Sequence, residues 1–171
     1  MKRILVPISA VLALFICSST AIAQETATAT ATATIVTPIA ITKTTDMNFG
    51  NVAVQSTTAG TVVLPPSATP TRTVTGGVTL PATAGTVTAA AFTVTGEDGY
   101  TYSISLPSSV AITSGANSMT VGSFTSSPSG TGTLTSGTQT LYVGATLSVA
   151  AAQAAGTYVS STPFNVTVNY N

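Results

Sequence analysis

The last eight residues alternate without a break: Phe164, Val166, Val168 and Tyr170 interleave with Asn165, Thr167, Asn169 and Asn171. Successive side chains of a β-strand point to opposite faces, so this register lays the large apolar groups on one face and the polar ones on the other. Such a strand must pair its backbone and cover its apolar face. The C-terminal end therefore commits the chain to a layered β-structure.

The N-terminal end reads differently. Lys2 and Arg3 precede the apolar run Ile4 to Ile16, and Ala21-Ile22-Ala23 precedes Gln24. This is the layout of a secretory signal peptide cleaved after Ala23, which sends the chain out of the cytoplasm. The run is too short for a transmembrane helix and no second long apolar run follows, so no transmembrane anchor is expected. Cys17 follows Ile16 where a lipidated cysteine wants a small residue, and reads as an inert part of the leader. Beyond residue 23 the chain has no cysteine, so disulfides cannot support the fold. The remaining 148 of 171 residues suit one domain with a single core.

Past the leader the only charged residues are Glu25, Lys43, Asp46, Arg72, Glu97 and Asp98. Two cations cannot neutralise a phosphate backbone, which excludes a nucleic-acid partner. Low charge with positive mean hydropathy is the opposite of the disordered balance, and abundant Thr and Val favour pleated, half-buried surfaces. Strand-period segments recur at Gly60–Leu64, closed by Pro65-Pro66, and in short pieces over Arg72–Leu80, broken by Gly76-Gly77. They recur again at Met119–Phe124 and Thr140–Val149, the latter with Leu141, Val143, Ala145, Leu147 and Val149 on one face. Thr86–Thr95 and Tyr100–Leu106 flank Gly96-Glu97-Asp98-Gly99 and read as a hairpin, with Phe92 and Val94 opposite Tyr100 or Tyr102. Ala150–Ala155 reads as a helical turn ended by Gly156. Many short strands between turn signals predict an all-β, immunoglobulin-like Greek-key sandwich over residues 38–171.

Chemistry-bearing residues are scarce. The chain has no histidine, which removes His-based triads, imidazole ligands and proton shuttles. Glu97 and Asp98 adjoin in a Gly-flanked turn and read as a solvated turn, because a calcium site needs more oxygen ligands. Lys43 reads as a surface lysine and Arg72 as a solubilising charge. No catalytic residue, metal or cofactor is expected, and the chain is not read as an enzyme.

Residues 24–37 form an Ala/Thr-rich extension. Ala27, Ala29, Ala31, Ala33 and Ile35 share one parity, continued by Ile39 and Ile41, while Thr residues fill the other. One reading is a low-complexity linker. The other is a donor strand that adds to a neighbouring subunit's sheet, its alternate side chains filling pockets. Nine residues from Ala27 to Ile35 span roughly 30 Å as a strand, the length of a small sandwich. Identical alanines leave the register weak, since a slip of two residues replaces Ala by Ala.

The set Asp46-Met-Asn-Phe-Gly50, Ala91-Phe-Thr-Val-Thr-Gly96, Tyr102-Ser-Ile-Ser-Leu-Pro107, Gly137-Thr-Gln-Thr-Leu-Tyr-Val-Gly-Ala-Thr146 and Phe164-Asn-Val-Thr-Val-Asn-Tyr-Asn171 resembles the secreted bacterial family called domain of unknown function 4402. The family name assigns no activity. From Val143 through Gly156-Thr-Tyr158 to Tyr170 the chain is also similar to spore-coat-U-like and archaic chaperone-usher pilus subunits. It departs from them in the position of Gly156 and in lacking a cysteine pair. That resemblance implies an incomplete sandwich finished by a neighbour's strand, with Gly156, Phe164, Val166, Val168 and Tyr170 on the strand facing a chaperone and then the acceptor groove. It implies a structural subunit of a fimbria-like surface fibre on a Gram-negative-type cell, supporting adhesion or biofilm. The implied partners are copies of itself or related subunits, a periplasmic chaperone and an outer-membrane usher. The alternative is a self-complete secreted sandwich that binds a surface glycan or matrix protein through Tyr100, Tyr102 or Tyr142.

Overall fold

The computed structural model describes residues 24–171, so the expected leader, Cys17 and the cleavage position at Ala23 lie outside the described residues. The chain divides into two units, residues 1–34 and 35–171. In the described part of the first, Gln24–Thr34 form no strand and their side chains are exposed.

The second unit is an all-β sandwich of antiparallel sheets, the fold class expected. Its strands are β1 (Ala40–Thr45), β2 (Ala53–Val54), β3 (Gly60–Leu64), β4 (Thr73–Gly76), β5 (Val78–Thr79) and β6 (Ala90–Thr95), then β7 (Thr101–Ser105), β8 (Ser109–Ser114), β9 (Asn117–Ser127), β10 (Thr131–Thr133), β11 (Thr138–Val149) and β12 (Thr167–Tyr170). Seven strands form the large sheet, β10-β7-β12 a second sheet, and β2-β5 a short ribbon.

β11 organises the large sheet. Along one edge it pairs first with β6 through Thr138–Val143 and then with β3 through Ala145–Val149, and along the other edge with β9. β6 and β3 thus lie end to end, with Gly144 at the junction. A Cβ there would collide with the Leu64 carbonyl oxygen and the Pro65–Pro66 backbone, so glycine is what lets the chain leave β3 across β11. Two prolines without amide hydrogens end β3 at that point.

The apolar face of β11 is Leu141, Val143, Ala145, Leu147 and Val149, all buried as the alternation predicts. It supplies two halves of the core. Leu141 and Val143 pack with Ala90, Val94, Tyr102, Leu134 and Val168, beneath the roof made by β7, β10 and β12. Ala145, Leu147 and Val149 pack with Val62, Val78 and Val121, where the covering elements are the β2-β5 ribbon and loops.

The first strand begins at Ala40, after Ile35–Ile39. The structure departs from the sequence reading in two places. Thr86–Thr95 and Tyr100–Leu106 do not form a hairpin, because β6 and β7 belong to different sheets. The Gly96–Gly99 turn is tied sideways, Gly96 N–H to Gly137 O at 3.0 Å and Gly99 N–H to Leu134 O at 2.9 Å, so it carries the chain from one layer to the other. Val94 and Tyr102 meet across the core instead of across a ladder. Ala150–Ala155 form only a tight turn, with Gln153 N–H reaching Ala150 O at 3.3 Å.

Candidate functional site

Over the second half of the core lies an open groove of about 1110 Å³. That exceeds the roughly 300–1,000 Å³ that encloses a drug-sized molecule. Its floor is one side of the large sheet: Leu147 and Val149 of β11, Met119 and Val121 of β9, Val110 and Ile112 of β8. Val110, Ile112 and Met119 are only half-buried there, although each packs on the buried cluster.

One wall is Met47–Val54, built by the Asp46-Met-Asn-Phe-Gly50 motif. Asn48 exchanges backbone hydrogen bonds with Thr88 at 2.8 and 3.0 Å, and its side-chain oxygen accepts from Gly50 N–H at 2.8 Å. Gly50 sits at φ 65°, where a Cβ would meet the Ala84 carbonyl oxygen. Asn51 ties the end of the turn down through its N–H to Ala84 O at 2.7 Å and its side-chain amide to Thr83 O at 3.0 Å. Arg72 donates from Nη1 to Phe49 O and, at 2.8 Å, to Asn51 O. It is a clamp on the wall's carbonyls and not the free solubilising charge that the sequence suggested. Held this way, Met47, Phe49, Val52 and Val54 present apolar side chains to the second core half.

The facing wall is the return segment Gln153–Phe164. Thr113 of β8 and Val159 exchange backbone bonds at 2.9 and 3.0 Å, a single bridge on β8's outer edge. Gln153 donates to Tyr158 Oη at 2.8 Å, and that hydroxyl donates to Ala154 O at 2.7 Å. Gly156 passes so near Ser114 that a Cβ would press on its side-chain oxygen. Lys43 and Asp46 on the rim form an exposed ion pair at 2.7 Å, worth little in water.

Of the residues singled out on the C-terminal strand, Gly156 and Phe164 line the groove. Phe164 packs on Phe124 in a tilted pair, with ring centroids 5.0 Å apart and planes at 47°. Val166, Val168 and Tyr170 pack, as Phe164 also does, against the roofed half, where Val168 is 7% exposed, and Asn165, Thr167, Asn169 and Asn171 point out as the alternation requires. Ala27, Ala29, Ala31 and Ala33 are exposed and Ile35 is 96% exposed. Tyr102 is fully buried and donates its hydroxyl to Gln139 Oε1 at 2.7 Å, so it cannot meet a glycan, and burial raises its pKa. Tyr100 is exposed and Tyr142 half-buried. Glu97, read as solvated, accepts the Thr37 N–H on Oε2 at 2.9 Å, which lowers its pKa.

The sequence reading missed the groove's floor in β8 and its wall at Met47 and Phe49. The signals present were the pair Val110/Ile112, alternating within Ser109–Ser114, and Met47/Phe49 at the same spacing. Among the described residues no three His, Cys, Asp or Glu groups cluster as metal ligands, and no helix is long and apolar enough to cross a membrane.

No curated protein and no solved structure matches the chain. A family model described as domain of unknown function (DUF4402) matches residues 39–170, from the approach to β1 through the end of β12. The chain belongs to the DUF4402 family.

Proposed function

We propose that this protein is a structural subunit of a secreted, fimbria-like surface fibre assembled by strand complementation, in which Ala27–Ile35 of one copy fills the groove of the next. The observation that carries this reading is the open groove itself, about 1110 Å³ over half-buried Val110, Ile112 and Met119. The extension is long enough to run the length of a small sandwich, since nine residues span roughly 30 Å. It suits the groove in chemistry, because one parity is Ala and Ile, and Gln24–Thr34 form no strand that would occupy their backbone groups. Backbone bonds would supply affinity and the odd side chains the fit.

Secretion follows from the leader, and the partners are copies of the chain or related subunits. Before assembly a periplasmic chaperone would cover the apolar groove, and an outer-membrane usher would pass subunits to the surface for adhesion or biofilm. No catalytic role is assigned.

The test is removal of Gln24–Val36. The shortened protein should still accept a donor but cannot give one, so it should cap polymers of the full-length chain. A synthetic peptide covering Ala27–Ile41 should raise its melting temperature, with stabilisation of about 2.7 kcal/mol at a peptide concentration one hundred times Kd. Shortened and full-length proteins that are both monomeric, melt alike and ignore the peptide would reduce the extension to a linker.

A further inference from the structure

Just before β1 the backbone is held by side chains and not by a ladder. The Thr37 N–H donates to Glu97 Oε2 at 2.9 Å, and the Thr37 carbonyl accepts from the Tyr170 hydroxyl at 2.7 Å. The same hydroxyl accepts the Glu97 N–H at 2.6 Å, which closes the three residues into a ring of hydrogen bonds. A Cβ on Gly96 would collide with the Tyr170 hydroxyl oxygen, so that glycine makes room for the phenol. The Tyr170 ring is fixed in turn, packed on the roofed core and edge-on to Tyr100 with centroids 5.6 Å apart. Pro38 locks its own φ and confines Thr37 to extended backbone. The sheet itself does not use Thr37, because the ladder of β1 with β6 begins at Ala40.

We propose that Glu97 and Tyr170 are positioning residues that anchor the root of the N-terminal segment, leaving Val36 as the whole tether between the anchored backbone and the donor run that ends at Ile35. The inference rests on the strand-donation reading and says what kind of joint it makes. A donor seated in the next subunit is tied back to its own domain by a single residue, which reaches about 3.4 Å when extended. A tether that short leaves neighbouring subunits little room to bend. Losing the clasp would release Thr37 and Pro38 and lengthen the joint up to Ile39, without touching the groove or the donor.

The test uses the full-length secreted chain in three forms: unaltered, Glu97→Gln, and Glu97→Ala with Tyr170→Phe. Gln keeps an acceptor for the Thr37 amide, and Phe keeps the ring in the core. Hydrogen exchange at the Thr37 amide should be slow in the first two and about tenfold faster in the third, the factor expected for losing a hydrogen bond to a charged group, with Val94 and Leu141 unchanged. Polymers of the double variant should show a persistence length roughly half that of the other two, because a longer tether is a softer joint. Exchange at Thr37 as fast as at Thr34 in the unaltered chain, or polymers of equal stiffness in all three forms, would overturn the inference while leaving strand donation standing. Failure of the unaltered chain to polymerise while Thr37 stays protected would overturn strand donation and the tether role with it, and would leave the anchor as a feature of the monomer.

Discussion

The two halves of the core share one strand, and the same face of it, yet they are finished in different ways. Leu141 and Val143 lie under a second sheet and are fully buried together with Tyr102 and Leu134. Four to eight residues further along β11, Leu147 and Val149 are buried too, but Val110, Ile112 and Met119 beside them line an open groove between two irregular walls. Full burial of one such aliphatic side chain is worth about 1.5–3 kcal/mol, so the open half leaves uncollected much of the stabilisation that the roofed half already has. The contrast separates the half that a second sheet finishes from the half that is left open between loops. Both groove walls are rigidly tied, by Arg72 and Asn48 on one side and by Gln153, Tyr158 and the Thr113–Val159 bridge on the other. The opening therefore has walls whose backbone and side-chain groups are hydrogen-bonded on both sides.

Placing a carboxylate in each half should break the symmetry most visibly. Val168→Asp buries a charge under the roof at a cost of several kcal/mol, comparable with the whole stability of a domain this size, and should abolish accumulation of folded protein. Ile112→Asp, on the groove floor, should leave a folded monomer destabilised by no more than about 1 kcal/mol and unable to take up the Ala27–Ile41 peptide. Secretion yield, thermal melting and peptide titration of the two variants read this out. Equal loss of fold in both would mean that the two halves are not different in kind.

Truncations give a smaller version of the same contrast. Leu141→Ala should cost about 2–5 kcal/mol in denaturant unfolding. Met119→Ala should cost about 1 kcal/mol or less in the free monomer, because its side chain is only half-buried, and more once peptide is bound. A Met119→Ala cost that does not change with peptide would place this side chain outside the site.

The smallest effect belongs to the end of the roofed half that carries Glu97. The Thr37 N–H holds the Glu97 carboxyl below its ordinary value of 4.5, against the opposing influence of desolvation and Asp98. A carboxylate with a depressed folded pKa stabilises the fold above its unfolded value and loses that contribution as pH falls through the folded one. Melting temperature should therefore dip slightly more between pH 4.5 and more acid values in the natural chain than in Glu97→Gln. Parallel curves would show that the bond to Thr37 is too exposed to matter for stability.

The roofed half was legible because its signal is periodic. The alternations at 141–149 and 164–170 assigned inward and outward faces correctly, and Pro65-Pro66 and Gly76-Gly77 marked real strand ends. The open half was not, because an opening is set by which segments fail to cover a sheet, and no local pattern encodes that. β8 escaped notice since Val110 and Ile112 sit among Ser, Ala and Thr, too few large groups to announce a strand. The Gly96–Gly99 turn misled because a hairpin and a crossing between layers use the same turn residues. Arg72 and Glu97 looked like free charges because their partners are main-chain atoms 21 to 60 residues away. The role of Tyr170 depends on Thr37, 133 residues distant.

The central claim, that a neighbour's extension lies in the groove with its odd residues facing the floor, is open to a direct chemical test. From Gln24 onward the chain has no cysteine, so introduced thiols meet no background. A disulfide forms only when the two Cα atoms come within about 7 Å. One protein would carry Ile112→Cys, and its partners Ala27→Cys, Thr28→Cys and so on singly through Ile35→Cys, mixed in pairs under mild oxidation. The account expects intermolecular cross-links that alternate along the extension, formed from one or more of Ala27, Ala29, Ala31, Ala33 and Ile35 and absent from the intervening Thr positions. No cross-link from any position, or equal yields from both parities, would contradict it.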